Sequence, residues 1–154
     1  MGRTEPLHYE DVEVGTVFST RARTITEADL VNFAGVSGDF NPLHMDAEYA
    51  AGSIFGRRVA HGVLVLAVAT GLRQGLGLFD GTLMGLLEVR AWRFLAPVFI
   101  GDTVRAETEI VELRPTSKPD RGVMTQRVSV LNQDGTVVQQ GELVALLRRR
   151  EPPA

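Results

Sequence analysis

The chain of 154 residues contains no cysteine. That single absence excludes disulfides, thiolate nucleophiles and cysteine metal ligands together. Lysine is nearly absent too: Lys118 stands alone among 16 basic residues. Arginine's bidentate fork suits phosphate, but genome composition accounts for the bias equally well. The formal net charge is −3, so the basic stripes that neutralise a nucleic-acid backbone are missing. No apolar run reaches the roughly 18–20 residues needed to cross a bilayer. The opening "MGRTEPLHYEDVEVG" is acidic and has no apolar h-region, so neither a secretory signal nor membrane attachment is expected. A cytoplasmic setting is the expectation.

What is present is an ordinary globular composition, 44% hydrophobic and 23% charged, at a length that one domain fills. The expectation is a single domain over residues 1–154, with about 1–12 and 149–154 as peripheral tails. Thr16 to Thr24 has the pattern of a first strand. Thr26 then caps a short helix, and Asp29 at its third position completes a capping box. Pro42 bars continuation of an ordinary helix, and Asp46 caps the next short one, "AEYAAGS". His61 to Gly77, "HGVLVLAVATGLRQGLG", is apolar on nearly every side until Arg73, and a helix of that kind must be covered.

Four strand-like segments follow, about Thr82 to Leu95, Asp102 to Arg114, Gly122 to Leu131 and Thr136 to Leu147. Asp134-Gly135 is a hairpin turn signal between the last two. The sum is an α+β arrangement, and the simplest cover for the apolar helix is a sheet wrapped around it: a hotdog fold. Such a sheet leaves long edges and a half-covered layer, so a homodimer or higher homo-oligomer is expected.

The chemistry-bearing stretch is "SGDFNPLHMD", Ser37 to Asp46. A carboxylate and an imidazole can share one water, one taking its proton while the other holds it or returns a proton. Asp39 and His44 lie five residues apart across an Asn-Pro turn. The plain alternative is a turn cap and a satisfied, half-buried histidine, and for this pair alone the plain reading carries more weight. His61-Gly62 changes the balance. They open the apolar helix, where free amides and the positive dipole end favour an anion. Gly62 admits a ligand oxygen to its N–H, unless it merely relieves crowding. Water activation beside an oxyanion donor suits addition of water next to a carbonyl.

The stretch "SGDFNPLHMDAEYA" resembles the signature of the MaoC-like (R)-specific enoyl-CoA hydratases, and the similarity continues through "FGRRVAHGVLVLA", "FLAPVFIGDTVRAETEIVEL" and "NQDGTVVQQGE". The resemblance covers most of the chain. It implies a hotdog fold and reversible syn hydration of a trans-2-enoyl thioester to the (R)-3-hydroxyacyl thioester. It places Asp39 and His44 as the catalytic pair and Gly62 as the amide that holds the thioester oxygen. It implies no metal and no cofactor beyond the coenzyme A carried by the substrate; acyl carrier protein is the alternative carrier.

Asn41 is expected to shape the loop or bond His44, and His61 to border the substrate. Arg57 and Arg58 are candidates for the coenzyme A phosphates, with Lys118 and Arg121 weaker ones; for each, a solvated charge is the simpler reading. Trp92 and Phe94 share a strand face and suit packing. His8 suggests no role. Side chains of Ala28 to Val36 and Ala47 to Phe55 are expected to set the acyl pocket's depth. The rivals are a hotdog thioesterase and a non-catalytic acyl-thioester binding subunit. No Asp or Glu occurs between Gly62 and Phe79, which counts against a thioesterase whose carboxylate comes from the central helix.

Overall fold

A computed structural model describes residues 5–150. Strands β1 (Val17–Ser19) and β2 (Arg23–Thr24) precede three helices, α1 (Glu27–Ser37), α2 (Pro42–Met45) and α3 (Ala47–Ala51). The long helix α4 (Gly62–Gln74) follows, then strands β3 (Leu83–Phe94), β4 (Thr103–Pro115), β5 (Arg121–Leu131) and β6 (Val137–Arg148). The antiparallel sheet runs in the order β1-β4-β5-β6-β3, with β2 also on β4. The hotdog architecture expected from the sequence is what forms. Leu64, Val65, Val68 and Ala69 of α4 bury against Val104 and Ala106, Val128 and Val130, and Val138 and Leu143 of the concave sheet.

The four long strands fall within a residue of expectation, and the β5–β6 hairpin turns at Gly135, whose φ of 77° requires glycine. The first strand does not. Instead of one strand over Thr16–Thr24 there are two, because three residues (20–22) face two (105 and 106) between the paired positions Ser19↔Glu107 and Arg23↔Val104. Thr20 absorbs this bulge. Its N–H donates to the Ala106 carbonyl, and its Oγ1 accepts the Ala106 N–H at 2.9 Å, standing in for a main-chain carbonyl.

Two further expectations are corrected. The stretch 5–12 is no peripheral tail: Leu7 (3% exposed) and Val12 (5%) are buried with Ile110, Met124 and Leu147 in a second apolar cluster. Residues 1–4 and 151–154 of the expected tails lie outside the described residues; Arg149 and Arg150 are tied to Glu10 and Asp11. Nor is α4 covered on all sides. One sheet can cover only one side of a helix, and Val63, Ala67 and Thr70 stay exposed in the single chain.

Candidate active site

Local capping builds the loop that carries Asp39 and His44. Thr26 Oγ1 accepts the Asp29 N–H while Asp29 accepts the Thr26 N–H, so the anticipated capping box starts α1. Gly38, at φ 77°, ends it by donating its N–H to the Ala34 carbonyl at 2.8 Å. Asn41 Oδ1 then accepts the Leu43 N–H at 3.0 Å and caps α2, with Pro42 in the first helical position. Asn41 thus shapes the loop; its side chain makes no bond to His44. Asp46 Oδ1 caps α3 through the Tyr49 N–H.

His44, inside α2, contacts the Val59 carbonyl through Nδ1 at 2.7 Å. A carbonyl can only accept, so Nδ1 carries the proton and Nε2 is left as the acceptor of the neutral ring. His61 is 2% exposed and stacks on His44, ring centroids 3.8 Å apart, with the tilted ring of Phe33 at 4.9 Å. His61 Nε2 donates to the Asp39 carbonyl at 3.0 Å, pinning the loop to the start of α4. Donor atoms of Asp39, His44 and His61 lie within 4.8 Å of one another. A divalent ion could use that spacing, but the lone pairs of two stacked rings lie in near-parallel planes rather than converging. A single water between carboxylate and imidazole fits better.

Below the histidines is a cavity of about 540 Å³ lined by His44, Gly62, Phe55, Val63, Phe94 and neighbouring apolar side chains. Asp39 is not among the residues that line it. Of the two segments expected to set its depth, only Phe55 contributes; the rest comes from Leu43 and His44, from five residues between 59 and 65, from residues 94–98 and from Gln139. His61, the residue before α4, makes no side-chain cap, so the first amides of the helix keep no partner from it. A Cβ on Gly62 would lie 2.6 Å from Phe94 Cε1. The crowding explanation of this glycine is therefore met by a specific neighbour.

One residue at the site was not expected from the sequence. Gln139, 2% exposed, donates through Nε2 to the Gly62 carbonyl at 2.9 Å and accepts the Trp92 indole N–H at 3.0 Å. A bulge in β3 makes this possible. Residues 91 and 92 face Gly141 alone, Ala91 adopts φ 48°, and Trp92 lies over Gly141 so closely that a Cβ there would meet it at 2.6 Å. The signal was the Gln-Gln-Gly-Glu run set between the apolar residues of β6.

Arg58 is not placed as a free phosphate ligand. Its Nε donates to the His44 carbonyl at 2.5 Å and Nη1 to Glu27 at 2.9 Å, so it holds α2 against α1. Arg57 lies over the Phe99 ring, 4.0 Å from its centroid, and remains exposed. Lys118 and Arg121 lie at the other end of the sheet, roughly nine strand residues or 30 Å from Gln139. His8 lies in the amino-terminal turn beside Asp11.

A fold of this kind with such a loop defines a class, and comparison with known proteins bears it out. Residues 11–133 match the model of the MaoC-like domain. The chain belongs to that family. It is 36% identical over 149 residues to an (R)-specific enoyl-CoA hydratase from Rhodospirillum rubrum, covering 94% of each chain. It is 41% identical over 98 residues to Protein MaoC of Klebsiella aerogenes, spanning 64% of this chain but only 29% of that longer protein. Among solved structures, one described as a monoamine oxidase regulatory protein from Archaeoglobus fulgidus superposes with a TM-score of 0.91 at 35% identity, covering 98% and 100% of the two chains.

Proposed function

We propose that the chain catalyses the reversible addition of water to a trans-2-enoyl thioester, giving the (R)-3-hydroxyacyl thioester. One observation carries this reading: Asp39 and His44 bring ligand atoms within 4.8 Å of each other beside the start of α4, and His44 lines an apolar cavity. In the hydration direction a water held between them attacks C3. Asp39 takes its proton, and the imidazolium form of His44 gives the Nε2 proton to C2 on the same face. The neutral tautomer left behind is the one the Val59 carbonyl already favours. Transfer of the proton from Asp39 to His44 restores the pair. Negative charge gathers on the thioester oxygen, for which the Gly62 amide at the positive end of α4 is the donor. Coenzyme A is the proposed carrier, with Arg57 the basic residue free to meet a phosphate, and no metal or redox group enters the balance.

The test offers crotonyl-CoA and longer trans-2-enoyl-CoA esters and follows loss of the conjugated-thioester absorbance, free thiol and product chirality. Formation of the (R)-hydroxyacyl ester without thiol release supports the reading; thiol release would make the protein a thioesterase. Thioester binding without turnover would make it a binding subunit.

The functional unit is proposed to be a homodimer. β3 is an edge strand, and Leu83, Leu86, Leu87, Val89 and Phe94 on it are 43–58% exposed, next to Val63 of α4 at 57%. An apolar edge of this length is a liability in a lone subunit, and a second copy is the partner that fits it.

A further inference from the structure

His61 lies buried against the reacting pair, yet no step of the proposed hydration passes through its side chain. It is 2% exposed and is not among the residues that line the cavity at His44. Its Nε2 donates to the Asp39 carbonyl at 3.0 Å, so the ring proton sits on Nε2 and Nδ1 is an acceptor. Nδ1 is buried and has no hydrogen-bond partner among the described residues. An unpaired acceptor inside a fold is destabilising, and a phenyl ring would fill much the same space without one. Packing alone therefore does not select histidine at this position. The Nε2 donor does.

Three parts of the site meet at this residue. Its backbone opens α4: the His61 carbonyl accepts the Val65 N–H at 3.2 Å, and the next amide is that of Gly62. Its ring stacks on His44, and its Nε2 holds the Asp39 peptide. The other bonds that Asp39 makes are local. Its N–H donates to Ser37 Oγ at 3.1 Å, and its Oδ1 accepts the Asn41 N–H at 3.2 Å. Bonds that reach two residues shape the loop but do not set its distance from the rest of the site. The bond from His61 spans 22 residues and does. Syn addition makes that distance matter, because carboxylate and imidazole must serve neighbouring carbons from one face. A misplacement of about 1 Å can cost roughly 10²-fold in rate.

We propose that His61 is a positioning residue for the hydration. Its Nε2–H bond to the Asp39 carbonyl sets the gap between the Asp39 carboxylate and His44, so that one water and the C2–C3 bond fit between them. The proposal rests on the reading of Asp39 and His44 as the reacting pair. His61 acts through those two groups and exchanges no proton with the substrate.

The experiment compares the native chain with His61→Phe, which keeps a ring against His44 but no donor, and His61→Gln, whose amide keeps a donor but no ring. Circular dichroism melts give the folded fraction, and rates are expressed per folded chain. Hydration of crotonyl-CoA in D2O is followed for kcat, for KM and for the configuration of the deuterated C2. His61→Phe is expected to lower kcat roughly tenfold to a hundredfold with KM within about twofold of native. It should also give both C2 diastereomers where the native chain gives one, and His61→Gln should recover part of both losses. Native kcat and a single diastereomer from folded His61→Phe overturn the proposal. A rise in KM alone also overturns it, since that would make His61 a binding residue. So does glutamine no better than phenylalanine, since the donor would then not be what matters. No hydration by the native chain removes the reading of the pair and this proposal together; native hydration that His61→Phe leaves unchanged removes the proposal alone.

Discussion

His44 owes its chemistry to a neighbour without a side-chain role, the Val59 carbonyl that fixes its tautomer. Asp39→Asn and His44→Gln are each expected to lower kcat for enoyl-CoA hydration by roughly 10²–10⁴-fold, with little change in melting temperature, because neither side chain is part of an apolar cluster. Gly62 poses a sharper question, since Phe94 alone explains the missing side chain. Gly62→Ala should cost about 1–3 kcal/mol by overpacking, and Phe94→Leu in the same chain should restore the melting temperature. If activity stays low after stability returns, the glycine serves the approach of the thioester oxygen; full recovery of kcat would make it a packing residue only. That Asp39 and His44 come within 4.8 Å was an expectation the local turn between them allowed, while their pairing was read from the family resemblance and not from spacing. The pairing of Arg58 with Glu27 and the His44 carbonyl was not legible in the sequence, since it joins residues far apart in the chain.

Among the elements, α1 and the β3 bulge do most to place the site. Burial acts to raise the Asp29 carboxyl, but its bonds from Thr26 and the nearby Arg23 outweigh that and hold it below its ordinary 3.8. The stability it contributes is therefore present above that value and is lost as pH falls through the lowered one. Thermal melts over this acid range should show a smaller pH dependence for Asp29→Asn than for the native chain; identical slopes would contradict the assignment. Thr26→Ala should cost about 1 kcal/mol at neutral pH. The capping box was plain in the sequence, as were the extents of the four long strands, because both are written in neighbouring residues. The bulge at Ala91 was not, because it answers to Gly141 across the sheet. Gln139, which that bulge brings under Trp92, holds the Gly62 carbonyl. Gln139→Leu should lower kcat more than it raises KM, measured with crotonyl-CoA, by tilting the start of α4 without removing a substrate contact.

For the whole molecule, the sequence indicated a sheet around an apolar helix but not how incompletely one chain covers it. Hydropathy cannot separate a face buried within the chain from one left open, and Val63 with the β3 edge stays exposed in the single chain. Nor could it reveal that Leu7 and Val12 close the far end of the sheet, since a short segment has no periodicity to read. Light scattering should return twice the 16.8 kDa chain mass, and Leu87→Asp should shift it towards one; a native monomer would contradict the proposed dimer. The most direct test of the central claim is single-turnover hydration of crotonyl-CoA by the native chain beside Asp39→Asn and His44→Gln. The expected result is (R)-3-hydroxybutyryl-CoA from the native protein, no free thiol, and loss of turnover in both variants. Undiminished hydration by either folded variant would contradict it.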